Sequence, residues 1–163
     1  MRIKYIIIVA FLMFFASSCE KENADKPIYS VYFEIDLRIE PYAKLKGIPA
    51  FFSYPEDYPK GQMNVGVWGG PAGIIIVHTL EGEYKVIDRT CRNPSCEERR
   101  IPVFMEESAT GFAYCKECGS RYLMLFGYGA VEKGPAKKPL RTYPTLAYVR
   151  YDGKLTYNYA ARH

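Results

Sequence analysis

The sequence predicts an all-β protein built from antiparallel strands. Three observations carry this. Residues 31–40 alternate apolar and polar side chains at the two-residue period of a half-buried strand. The chain holds 15 Tyr, a residue type that favours strands, and shows no long stretch of helical periodicity. Asp152-Gly153 stands between two strand-like runs, which signals a hairpin.

The first eighteen residues read as a targeting segment rather than as fold. Arg2 and Lys4 give a positive start, and the apolar run Tyr5 to Phe15 is too short to span a bilayer as a helix. Ala16-Ser17-Ser18 and then Cys19 follow. This ending resembles a bacterial lipoprotein signal, cut just before a cysteine that becomes lipid-modified. Ala16 stands where such signals usually carry Leu, and an ordinary secretory cleavage near Ser18 is the alternative. Residues 20–27 are polar and read as a solvated tether, so segment 19–27 joins a lipid anchor to the rest. The expected location is the cell envelope. Residues 28–163 suffice for one domain with a core of its own. Without Arg2 and Lys4 the net charge falls from +4 to about +2, which argues against a nucleic-acid partner.

Within the domain, residues 31–40 are expected to bury Val31, Phe33, Ile35, Leu37 and Ile39 on one face. Residues 41–72 read as a series of turns with one short strand at 50–53. The run 73–79 reads as a strand buried on both faces, and 84–88 returns antiparallel after the turn at Glu81-Gly82-Glu83. Phe112-Ala113-Tyr114 and 121–126 flank a further turn, and 145–150 with 154–159 form the closing hairpin. A cysteine-bearing insertion, about 89–140, divides the strand groups.

The insertion carries the chemistry. Cys91 and Cys96 enclose four residues, and Cys115 and Cys118 enclose two. Short turns of this kind present two sulfurs to one point, so four thiolates can close around one metal or small cluster. Around them stand Gly119-Ser120-Arg121-Tyr122 and Gly134-Pro135-Ala136-Lys137-Lys138-Pro139-Leu140.

These residues resemble the second half of a Rieske iron–sulfur domain, with its Gly-Ser-x-Tyr turn and Gly-Pro-Ala-x-x-Pro-Leu loop. The likeness covers about 70–160. It implies an antiparallel β-sandwich or partial barrel, with a two-loop insertion like a rubredoxin or zinc-ribbon knuckle pair. It also implies that Ser120, Tyr122 and Pro135 line a cofactor, Ser120 and Tyr122 through hydrogen bonds to cluster and cysteine sulfur. The ligand set departs from the family, which places two Cys on one iron and two His on the other. Asn93 stands at the first His position and Cys118 at the second. Cys96 occupies a position that pairs in a disulfide in some members, but its partner position is Glu117.

Three readings stay open for Cys91, Cys96, Cys115 and Cys118. They hold a 2Fe-2S cluster, which makes the domain an electron-transfer protein with an unknown redox partner and a potential below that of a His-ligated centre. They hold a structural zinc, which makes it a non-redox scaffold or interaction module. Or they form disulfides, with three possible connectivities. The rest of the chain offers little catalytic chemistry. His78 reads as a strand-end histidine, His163 as a frayed terminus, and Gly66, Gly69, Gly70 and Gly73 as turn glycines with no phosphate-loop lysine. With two histidines and no triad, substrate turnover by this chain alone is not expected.

Overall fold

The computed structural model describes residues 29–57, 70, 72–107, 111–126, 128–144 and 146–161. The targeting segment, Cys19, the tether to Lys26-Pro27, Gly66, Gly69 and His163 lie outside the described residues. Among the described residues, ten strands form three antiparallel sheets, with one five-residue α-helix and one short 3-10 helix.

Strand β1 (Val31–Asp36) pairs with β10 (Lys154–Tyr159), which pairs with β9 (Tyr148–Val149). The register sets Phe33 opposite Tyr157 and Ile35 opposite Leu155, so both strands turn their apolar residues to the same side. Strands β2 (Ala50–Tyr54), β3 (Ile74–His78) and β4 (Tyr84–Asp88) form a second sheet in that order. The third sheet is β5 (Phe104–Met105), β6 (Phe112–Tyr114), β7 (Arg121–Leu123) and β8 (Ala130–Lys133).

The second sheet is the middle layer. Its even-numbered residues Phe52, Ile74, Ile76, Tyr84 and Val86 join Val31, Phe33, Leu155 and Tyr157 in one core. Its odd-numbered residues Ile75, Val77 and Ile87 join a second core with Val103, Ala113, Tyr122, Met124 and the cysteines. Every residue of β3 is buried for this reason, and the run reads as continuously apolar instead of alternating. The third sheet and its loops thus rest on the far face of the strands that close the first core.

Arg89 ties the layers together from a fully buried position. Its guanidinium donates to the carbonyls of Val103 and Tyr54 and pairs with Glu56 at 2.9 Å. A buried guanidinium is tolerated because its donors find acceptors.

Three expectations need correction. The first strand ends at Asp36, and Ile39 is 54% exposed. The Asp36 carboxylate accepts from the Arg38 backbone N–H and guanidinium, which turns the chain and ends the ladder. The region read as turns also contains a 3-10 helix, Tyr42–Lys46, that buries Tyr42 and Leu45 under the first core. The closing strand β9 is shorter than the expected run, at two residues.

Leu155 tests the first core. It is fully buried between β1 and β9, and Leu155→Ala should cost about 2–5 kcal/mol through lost burial and a cavity. A denaturant titration should show a lower midpoint with an unchanged slope.

Candidate metal centre

Each cysteine pair is held by backbone hydrogen bonds. Residues 89–91 and 101–103 run antiparallel, with Val103 N–H donating to Arg89 O and Cys91 N–H to Ile101 O. Helix α1 (Pro94–Glu98) fills the bend between them and carries Cys96 on its buried side. Asn93 begins this helix. Its carbonyl accepts from the backbone of Cys96 and Glu97, and Pro94 stands in the first turn, where a missing N–H costs nothing. The four-residue spacing between these cysteines is therefore one helical turn plus its start.

The second pair sits in the tight turn of the β6–β7 hairpin. Cys115 N–H donates to Ser120 O, and Gly119 N–H donates back to Cys115 O. Gly119 has a φ of +71°, the left-handed conformation that closes the turn and that glycine adopts without cost. Cys118 and Gly119 thereby come round to face Cys91.

The four Sγ atoms all lie within 4.8 Å of one another. Cys91 and Cys118 are 3.6 Å apart, and Cys96 and Cys115 are 3.9 Å apart. Both separations are far beyond a bonded S–S of about 2.05 Å. All four thiols are free, so the disulfide reading does not describe this structure. Cys91, Cys96 and Cys115 are buried, and Cys118 is partly exposed. Four clustered cysteine sulfurs of this kind can hold a metal.

Two hydroxyls reach these sulfurs, and each is oriented by a backbone amide. Arg92 N–H donates to Tyr122 Oη at 2.9 Å, and that oxygen lies 3.2 Å from Cys91 Sγ. Ala136 N–H donates to Ser120 Oγ at 3.0 Å, and that oxygen lies 3.1 Å from Cys118 Sγ. An amide on the oxygen's lone pair leaves the hydroxyl hydrogen free to point at sulfur. Pro135, expected at the cofactor, is exposed on its loop between two residues that do approach Ser120.

The thiols differ in acidity. Burial pushes Cys91 well above its ordinary value, a rise that the Tyr122 hydroxyl partly offsets. Burial pushes Cys96 up to about 11. At Cys118 burial acts in the same sense, but hydrogen bonds from the Ser120 side chain and backbone hold the thiol down to about 7. Tyr122 itself is raised by burial.

Sequence reasoning missed the ionic frame around the first pair. Arg92 follows Cys91, Glu97 follows Cys96, and the two side chains form an ion pair. Arg141, just past Leu140, reaches the same Glu97 oxygen at 2.5 Å. Opposite charges at the same offset from the two cysteines were the available signal. Glu117 pairs with Arg99 at 2.8 Å. His78 is buried against Tyr84 and bonds Gly47 O through Nδ1, away from the sulfurs.

Two outcomes are expected. A Cβ at Gly134, where φ is +102°, would stand 2.5 Å from Ser120 Cα. Gly134→Ala should therefore destabilise the domain by at least about 1–3 kcal/mol in thermal or denaturant unfolding. The second concerns pH. A folded-state thiol pKa of about 11 for Cys96 lies above the ordinary 9.0. Its contribution is fully present below about pH 9 and is lost as pH rises through 11, because the unfolded chain ionises first. Metal-free protein should lose stability over that window, followed by melting temperature. Replacing Cys96 by Ser should flatten the curve.

No protein-family model, curated protein or solved structure matches this chain.

Proposed function

We propose that this domain is a metal-stapled β module, in which Cys91, Cys96, Cys115 and Cys118 hold one tetrahedral ion, zinc before iron. The observation that carries this reading is the mutual closeness of all four sulfurs. A tetrahedron with metal–sulfur bonds of about 2.3 Å has edges of about 3.8 Å. Two of the cross-pair separations, 3.6 and 3.9 Å, bracket that edge, and no separation exceeds 4.8 Å. A two-iron cluster divides its four sulfurs into one pair per iron and holds the pairs apart by the iron–iron separation, which calls for a longer box.

The donor set supports a structural role. Four protein ligands leave no open position for water or substrate, as catalytic zinc requires. Three of the four sulfurs belong to the second core, so metal binding and packing of the insertion are one event. When bound, the ion draws charge from thiolates that the core could not otherwise hold.

A second reading is supported by the two hydroxyls. Donors aimed at sulfur stabilise anionic sulfur and raise a metal–thiolate potential. They suit an iron centre, mononuclear or 2Fe-2S, that passes electrons to a redox partner. Such donors also stabilise zinc thiolates, so they do not displace the first reading. The Rieske-like turn and loop residues around the sulfurs fit either metal. The lipid anchor at Cys19 and an envelope location belong to the same proposal and rest on the sequence.

Metal analysis and colour separate these readings. The chain produced with both zinc and iron supplied should come out colourless, with about one zinc and no acid-labile sulfide. Two irons with two sulfides would establish the cluster, and one iron without sulfide the mononuclear redox centre. A metal-free protein in which Cys91, Cys96, Cys115 and Cys118 all titrate as free thiols would overturn all of them.

A further inference from the structure

We infer that Cys118 is a peroxide-sensitive sulfur whose oxidation, completed by Cys91, discharges the metal. The inference rests on the metal-bound reading above and adds a modification site to it. Its co-reactant is hydrogen peroxide or an alkyl hydroperoxide.

The four sulfurs are not equivalent toward a solution reagent. Cys91, Cys96 and Cys115 have no exposed surface, whereas Cys118 is partly exposed. The residue after it opens the approach further, since a Cβ on Gly119 would meet no atom within 4 Å. A small oxidant therefore meets Cys118 first. Reactivity follows access and thiolate character, and a metal-bound thiolate is already deprotonated.

A partner for the second step stands beside it. Cys91 Sγ lies 3.6 Å from Cys118 Sγ, near enough for the two sulfurs to meet with little movement. The two belong to different loops and are 27 residues apart in the chain, so a bond between them would weld one knuckle to the other. The Ser120 hydroxyl, bonded to Ala136 N–H, remains in place beside the reacting sulfur.

The chemistry balances. An electron pair on the Cys118 thiolate attacks one peroxide oxygen, the O–O bond breaks, and a sulfenic acid and one hydroxide result. The Cys91 thiolate then attacks Cys118 sulfur, the S–O bond breaks, a disulfide forms, and a second hydroxide leaves. The protein loses two electrons and one peroxide is reduced. Two of four ligands have become neutral disulfide sulfur, and the remaining pair cannot retain the ion in a closed tetrahedral site.

The test uses the full chain loaded with zinc, with metal content measured first. Hydrogen peroxide is added in steps. A chromogenic zinc indicator follows release, and a sulfenic-acid trap with peptide mass mapping follows the sulfurs. Cys118 should be trapped about tenfold faster than Cys96 or Cys115, and the first disulfide should join Cys91 to Cys118. About one zinc should appear per disulfide. First modification at Cys96 or Cys115, or a first disulfide within one knuckle, would overturn the inference. So would full oxidation of Cys118 with the zinc retained. A chain that takes up no metal at the outset refutes the metal reading instead. The same mapping on that metal-free chain still decides whether Cys118 reacts first and joins Cys91.

Discussion

Four sulfurs gathered within 4.8 Å inside an apolar core cannot all be anions unless a cation stands among them. Like charges at such distances repel strongly in a medium of low dielectric, and burial alone already disfavours each thiolate. The lowered acidities of the Cys91 and Cys96 thiols express that conflict. The surrounding structure depends on how it is resolved. With protons, the cluster is a set of weakly interacting thiols; with a metal, it is a covalent junction between two loops. The hydrogen bonds that Cys91 shares with Tyr122 and Cys118 with Ser120, and the helical turn at Asn93, hold the sulfurs around one point.

The placement of the cysteine loops comes from the middle sheet. Ile75, Val77 and Ile87 form the floor on which the cysteine loops stand, and the opposite faces of the same strands close the first core. The first pair leaves β4 directly, through Asp88 and Arg89, so its position is inherited from the best-buried strands of the domain. The Arg92–Glu97–Arg141 group then fixes the pair laterally against the chain leaving the insertion. Most of this network exists to orient two short turns.

Much of the fold was legible because it follows hydrophobic period. Ile74 to Val77 reads as a doubly buried strand, and its neighbours Phe52 and Val86 confirm why: each face meets a different core. The Asp-Gly turn at 152–153 likewise sits where its chemistry directs. Periodicity misled at Ile39, where a local Asp36–Arg38 turn outcompeted continuation of the strand. It was silent at β5, only two residues long, and at Tyr42–Lys46, where one buried face of two residues gives too few repeats to register. The cysteines could be named from spacing alone. Their mutual distances could not, since those depend on Gly119 reversing one turn and α1 filling the other.

The pairing of β1 with β10 has a consequence for the order of assembly. The strand nearest the N-terminus among the described residues is completed by the strand nearest the C-terminus, more than 100 residues later. The first core therefore closes only after nearly the whole domain is available, and such distant contacts form slowly. The insertion is different: α1 and strands β5 to β8 find their partners within about 89–140, a short span of chain. The knuckles and their hairpin can take shape while the first core is still open. Capture of a metal at that stage would give the late-closing sheets a finished surface on which to settle.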